Sequence, residues 1–137
     1  MPNAITALVS LVKASPAGTA IGGRIRPKRG KIGDPHPYAI FDRVSGERDK
    51  TTDGPNGYAK TTIEVEWWAT TYGEASNIAE LAETAINGYH GDEHGVTVHS
   101  VELVDDGDAE VVGGDDGQNA GPYGVRQQFL FRWHRPA

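Results

Sequence analysis

The chain has 137 residues, 37% of them hydrophobic, no cysteine and a formal net charge of -6. This length suits a single domain, 1–137, with a buried core, and the lack of cysteine excludes disulfides, thiol catalysis and thiolate metal sites. No apolar stretch approaches the roughly 18 residues of a membrane span, and the N-terminus lacks the features of a secretory signal, so we expect no membrane association.

The first third of the chain predicts one helix and one strand. Asn3 can cap a helix whose apolar residues recur at helical spacing, and Pro16 and Gly18 predict its end. Residues 19–36 are predicted to form a mostly extended, basic connection. A strand is then predicted over 38–45.

The middle of the chain predicts a turn region and a strand. Residues 46–57 are polar and end in a dense turn signal, which predicts a projecting hairpin tip or an extended loop. The stretch 61–70 alternates, with Trp67 among the apolar residues of one face and glutamates on the other. Trp68 shares the polar face. We expect it either to be covered by another element or to anchor an interface, since tryptophan is common at binding hot spots.

The last part predicts a helix and two strands. Thr71 and Glu74 fit a capping box at the start of a helix, whose stripe of small apolar residues suits packing on a sheet. A strand is predicted over 95–104, with a bulge near Ser100 where the apolar parity switches. An acidic flexible loop is predicted over 105–121, and a final strand follows. Strands in a meander with two helices on one side predict an α+β fold with a mainly antiparallel sheet and long loops.

One motif suggests metal chemistry. Residues 90–94, His-Gly-Asp-Glu-His, match the H-x-x-E-H pattern of inverted zinc proteases. Such a site needs a helix, so that His90 and His94 share a face and Glu93 reaches a metal-bound water. The glycines in and around the motif favour a polar turn instead. A metal-dependent hydrolase using these three residues stays the alternative.

Other signatures of chemistry are incomplete. No G-x-S-x-G elbow is present, and Gly30-Lys31 is followed by isoleucine rather than the serine or threonine of a phosphate loop. The acidic clusters lack the spacing of a calcium loop, and the basic run lacks aromatics for base stacking. We therefore expect no enzymatic activity, no cofactor, no metal and no specific nucleic-acid recognition.

Charge is separated along the chain. Before Asp34 there are six Lys and Arg and no acid, whereas from Asp92 to Asp116 there are nine acids and no Lys or Arg. Two interpretations are open: solvated loops of opposite sign, or a basic patch that meets an acidic patch on the next copy of the chain. The basic candidates are Arg24, Arg26, Lys28, Arg29 and Lys31. The acidic candidates are Asp105, Asp106, Asp108, Glu110, Asp115 and Asp116.

The order of the segments resembles a known family. In order, the segments are a short apolar helix, Gly23-Arg24-Ile25-Arg26-Pro27, the strand from Pro37-Tyr38, the strand with Trp67-Trp68, the helix from Tyr72-Gly73-Glu74-Ala75, and Phe129-Leu130-Phe131-Arg132-Trp133-His134. This order, over residues 3–134, resembles the tail-completion proteins of long-tailed bacteriophages, also called tail terminators or tail-to-head joining proteins.

The resemblance implies a small α+β virion protein that assembles as a ring, generally a hexamer. Such a ring caps the tail tube, meets the head connector and lets DNA pass without specific recognition. The implied partners are further copies of the chain, the tail tube protein and a head-completion or connector protein. The implied location is the neck end of the tail, after assembly in the host cytoplasm. Alternatives are another neck or baseplate adaptor, or a tail component of a gene-transfer particle.

The resemblance also implies roles for particular residues. The stretch 46–57 corresponds to a part that touches a neighbour, which adds Arg48, Lys50 and Asp53 to the interface hypothesis with Trp68. Since a basic channel wall would grip phosphates, we expect some of the acidic candidates to face the channel. The rival expectation is that they meet the basic run of the adjacent copy.

Overall fold

The computed structural model of the chain describes residues 3–27, 37–51, 54–109 and 123–134, with only the backbone described at 47–51 and 54–57. In these ranges the chain forms three helices and six strands. The helices are α1 (Ala4–Lys13), α2 (Pro16–Ala20) and α3 (Tyr72–Ile86). The strands are β1 (Ile25–Pro27), β2 (Tyr38–Thr51), β3 (Gly54–Ala69), β4 (Gly91–Glu93), β5 (Val96–Ala109) and β6 (Tyr123–His134).

The strands form one sheet in the order β1-β2-β3-β6-β5-β4. The short β1 is parallel to β2, and every other pair is antiparallel. This confirms the predicted α+β class with a mainly antiparallel sheet. The predicted meander is wrong, because β6 lies between β3 and β5 and so joins two hairpins that are separate in sequence. None of the helices in the described ranges is long and apolar enough to cross a membrane.

Polar caps start each helix. Asn3 accepts from two backbone N–H groups of α1 and is confirmed as its N-cap. Thr71 accepts from the Glu74 N–H at 3.1 Å, while the Glu74 carboxylate lies by the Thr70 hydroxyl, so only half of the predicted box is seen. Pro16 does not simply end a helix: Ser15 caps α2, and Pro16 stands at its start, where a missing N–H costs nothing.

The core lies between one face of the sheet and the helices. The apolar face of β3 is confirmed, since Ile63, Val65, Trp67 and Ala69 are all fully buried. The small residues of α3 let it approach this face closely: Ala75, Ala79 and Ala82 are buried beneath it. Helix α1 covers the β5 and β4 end of the sheet. We call this the covered face.

A single amide connects three elements inside the core. Gln127 of β6 is 3% exposed. Its Oε1 accepts from Trp67 Nε1–H at 2.9 Å, and its Nε2–H donates to the Ala79 carbonyl in α3 at 3.0 Å. Buried polar groups of this kind must be hydrogen-bonded, so the contact sets the position of α3 on the sheet.

Strand pairing corrects the predicted acidic loop. β5 continues to Ala109, so Asp105, Asp106 and Asp108 lie in a strand and not in a loop. Aspartate and glycine disfavour strands in isolation, but each of these positions pairs with β6. Glu110, Asp115 and Asp116 lie outside the described residues, as do Lys28, Arg29, Lys31 and Asp53.

Two further sequence predictions, the bulge near Ser100 and the end of β2, can be compared with the structure. The register shift between Val98 and Ser100 lies where a bulge was expected. β2 runs past its predicted end at residue 45 and pairs with β3 as far as Thr51↔Gly54. Of the two forms expected for residues 46–57, a hairpin or an extended loop, this pairing corresponds to the hairpin. The side chains of Arg48 and Lys50 are outside what the structure describes, so their interface role stays a prediction.

We expect Gln127→Leu to destabilise the fold by about 1–3 kcal/mol, because it leaves the Trp67 indole N–H buried without an acceptor. Gln128→Leu is the matched control, since Gln128 is only half buried and its bond to Glu64 can be replaced by water. Urea denaturation of both variants measures the difference. Equal losses would contradict the role assigned to Gln127.

Candidate functional site

The second face of the sheet carries a charged surface. Directly opposed residues of neighbouring strands point to the same side, so the pairing places Trp68, Glu66, Glu64, Gly124 and Arg126 together. The described helices pack on the covered face. We call this second side the open face.

Trp68 is sequestered within the open face. It is 7% exposed, and its Nε1–H donates to Glu66 Oε1 at 3.0 Å. Its cross-strand partner is Gly124, where an added Cβ would lie 2.8 Å from the indole ring. Trp68 therefore lies over glycine within its own chain and offers little surface to a partner. Its role as an interface anchor stays a prediction.

Arg126 lies at the centre of an acidic area of the open face. Its guanidinium is 2.8 Å from Asp105 and 4.0 Å from Glu64. The bond to Asp105 raises the pKa of Arg126, and in return the guanidinium lowers the pKa of Asp105 below its ordinary value. Asp42 and Glu66 share this face, so this area contains four carboxylates and one arginine.

The opposite end of the open face is aromatic and basic. The rings of His99 and His134 lie within 15° of parallel, with His99 Nε2 and His134 Nδ1 2.7 Å apart. Tyr58 meets both rings edge-on. Tyr58 and His99, together with Lys60 and Arg132, border a shallow cavity of about 270 Å³.

The H-x-x-E-H motif does not form a helix. Glu93 ends β4, where it accepts from the Ser10 and Tyr89 hydroxyls. Burial and, next, the bond to Glu93 raise the pKa of Tyr89. His94 lies in a turn with φ 48°, so the shared helical face that the zinc mechanism requires is missing. Among the described residues, no three or more His, Asp and Glu lie close enough to hold a metal.

The charged candidates that the structure describes lie in or beside β1 and at the end of β5. Arg24 and Arg26 flank Ile25 in β1, and the Arg24 Nε–H donates to the Pro37 carbonyl at 3.1 Å. Asp106 and Asp108 lie in β5. The Tyr72 hydroxyl donates to Asp108 at 3.0 Å, which raises the pKa of Tyr72.

Sequence reasoning missed three members of these clusters. Arg126, Tyr58 and His99 were not singled out, because each becomes notable only through partners far away in the chain. The bulge at His99 brings that ring beside His134. The alternation of β6 was the one signal that placed Arg126 on the polar side.

A chain in the virion of a native gene transfer agent particle shares this architecture. The two superpose with a TM-score of 0.71, covering 93% of this chain and 91% of that chain, at 10% sequence identity. At this identity the similarity shows a common fold: a helix-covered sheet with one open face. A search of curated proteins gave no match.

A comparison with protein families identifies the family of this chain. Residues 6–118 match the family described as Tail completion protein gp17. The chain therefore belongs to the tail completion proteins and has a structural role in the phage tail. The resemblance drawn from the order of segments is confirmed.

Replacing Gly124 by alanine should displace Trp68. The new Cβ would lie 2.8 Å from the indole and 2.9 Å from the Ala109 Cβ, and overpacking of this kind costs about 1–3 kcal/mol. Gly107→Ala is the control, because its Cβ would meet the movable end of the Arg126 side chain at 3.2 Å. Thermal unfolding followed by tryptophan fluorescence compares the stability of the two variants. A Gly124→Ala protein as stable as the wild type would contradict this packing of Trp68.

Proposed function

We propose that this protein is a ring-forming tail terminator. Six copies or so close into a ring that caps the finished tail tube, stops its growth and presents a surface to the head connector. It acts through binding and geometry, without catalysis. The observation that carries the proposal is family membership over residues 6–118.

Features of the structure support assembly by shape and charge. The described surface offers an open, charged sheet face and a long hairpin, β2–β3. Glu93 of the motif that suggested hydrolysis is engaged by Ser10 of α1 and by Tyr89, which follows α3. Both features suit a subunit whose work is contact with its neighbours.

DNA passage is part of the proposal. A ring at the tail end has a central channel, and a wall that is neutral or acidic lets the phosphate backbone slide without being held. The acids of the open face, Asp42, Glu64, Glu66 and Asp105, supply such a surface around a single Arg126.

A second candidate keeps the same architecture in another particle. The shared fold with a chain of a gene transfer agent virion supports a tail component of a gene-transfer particle. The two candidates differ in the particle, and both require the protein to bind a tail tube end.

Mass in solution tests the proposal, measured by light scattering at high concentration with micrographs of the same sample. We expect rings of about 88 kDa, six times the 14.7 kDa of one chain, since heterologous contacts close into rings. If the free protein is a monomer, we expect rings at the ends of added tail tubes. A protein that forms no ring and leaves tube ends bare would refute the proposal.

A further inference from the structure

We propose that the aromatic and basic part of the open face binds a phosphate group. We call this part, Tyr58, Lys60, His99, Arg132 and His134, the basic end; the first four of these residues border its shallow cavity. The phosphate belongs either to the backbone of DNA or to a free phosphate ion, and the experiment separates the two sources. The site does not depend on ring formation, whereas DNA as the source rests on the proposed passage of DNA.

Two cations lie side by side in the basic end. Lys60 of β3 is paired directly with Arg132 of β6, so the two side chains lie on the same side of the sheet. Like charges in directly opposed positions repel and destabilise a sheet. Lys60 forms no ion pair with another described residue. An anion held between the two side chains offsets their repulsion, so the pair favours an anionic ligand.

Arg132 has one competitor for that ligand within the chain. Its guanidinium lies 3.6 Å from the Glu102 carboxylate, and the two side chains are 43% and 60% exposed. An exposed ion pair of this kind contributes little to stability, so a ligand can displace Glu102. The guanidinium is a planar fork of N–H donors that can bind two phosphate oxygens at once. Glu102 therefore lowers the affinity of the site without closing it.

Aromatic rings form the rest of the basic end. The ring nitrogens of His99 and His134 are 2.7 Å apart, and Tyr58 contacts each ring edge-on at a centroid distance of 5.0 Å. These contacts join β3, β5 and β6, so they hold the rings in place before a ligand arrives and lower the cost of ordering them. Tyr58 and His99 also border the cavity, where a phenol and an imidazole can donate hydrogen bonds.

The shape of the cavity favours phosphate over carboxylate. Its volume of about 270 Å³ is near the lower limit of roughly 300 Å³ for ligand pockets, so it suits a small group. The bordering side chains come from three strands and do not lie in one row. A phosphate group has three strong acceptor oxygens that point in different directions, whereas a carboxylate has two in one plane. Phosphate can therefore contact more of these groups at once.

The acidic part of the open face limits the contact with DNA to the basic end. Along β3 the first described acid after Lys60 is Glu64, four residues on and about 13 Å away. Its carboxylate and those around Arg126 repel the phosphates of a duplex. A contact through one or two cations is weak, independent of base sequence and weakened by salt. Such a contact lets DNA pass along the face without being held.

An NMR titration of the intact, unassembled chain tests the site. Inorganic phosphate is added at constant pH, with sodium chloride adjusted to hold the ionic strength constant. We expect the ring C–H signals of His99 and His134 to move and to reach saturation. The signals of His94, in the turn between β4 and β5, should stay in place. The absence of any movement at His99 and His134 would overturn the proposal.

Four variants connect the signals to the named side chains. Lys60→Gln and Arg132→Gln should each weaken phosphate binding about tenfold, since each removes a charge-assisted hydrogen bond. Glu102→Gln should strengthen it about threefold, because it removes the competing carboxylate, and a gain of affinity cannot come from misfolding. Lys13→Gln removes the same charge at the end of α1 and should change nothing. An affinity that none of the first three variants alters would overturn the proposal.

Two further ligands identify the source of the phosphate. A short DNA duplex that moves the same two histidine signals, and less so at higher salt, assigns the site to the DNA backbone. If inorganic phosphate moves them and the duplex does not, the ligand is a free phosphate ion. Acetate that moves them as strongly at the same concentration would overturn the phosphate site and indicate an acidic protein partner. Because the titration uses unassembled chains, its failure leaves the terminator role intact, and a failure to form rings leaves the site intact.

Discussion

The burial of one sheet face beneath the helices is the constraint on which the rest of the structure depends. Gln127 holds this arrangement at its centre, because it bonds the Trp67 indole on one side and the Ala79 carbonyl of α3 on the other. The alanines of α3 bring the helix close enough for that bond. Within the described residues the helices all lie on this side, so no described helix covers the second face of the sheet.

Charge is distributed unevenly over the open face and across the strands of the sheet. One half of the open face is acidic around Arg126, and the other is aromatic and basic around Tyr58. Across the strands, the sheet runs from arginines at β1 to aspartates at the end of β5. An uneven layout of charge can orient the association of copies, which suits the ring proposed for this tail completion protein.

Local signals in the sequence predicted the local structure well. Asn3 and Thr71 were predicted as caps from their side chains alone. The alternation in β3 predicted its buried face, because successive side chains of a strand point to opposite sides of the sheet. The α+β class followed from the number and order of such segments. The family was found the same way, from short segments in a fixed order.

Features set by distant pairing could not be predicted. Nothing near Asp105 to Asp108 favours a strand, and only the pairing with β6 extends β5 through them. The insertion of β6 beside β3 depends on which edges meet in space. The same limit applies to the candidate site: Arg26 and Asp106 were noticed as charges, but their placement on opposite faces of the sheet comes from four successive registers.

Amide hydrogen exchange tests the central claim, that the described helices occupy one face of the sheet and that assembly uses the surfaces outside these helices. The measurement compares the unassembled chain with the same protein assembled at high concentration or on tail tubes. We expect slower exchange on assembly in the strands, with little change in α1 and α3. Slower exchange confined to the helices, with the strands unchanged, would contradict this claim.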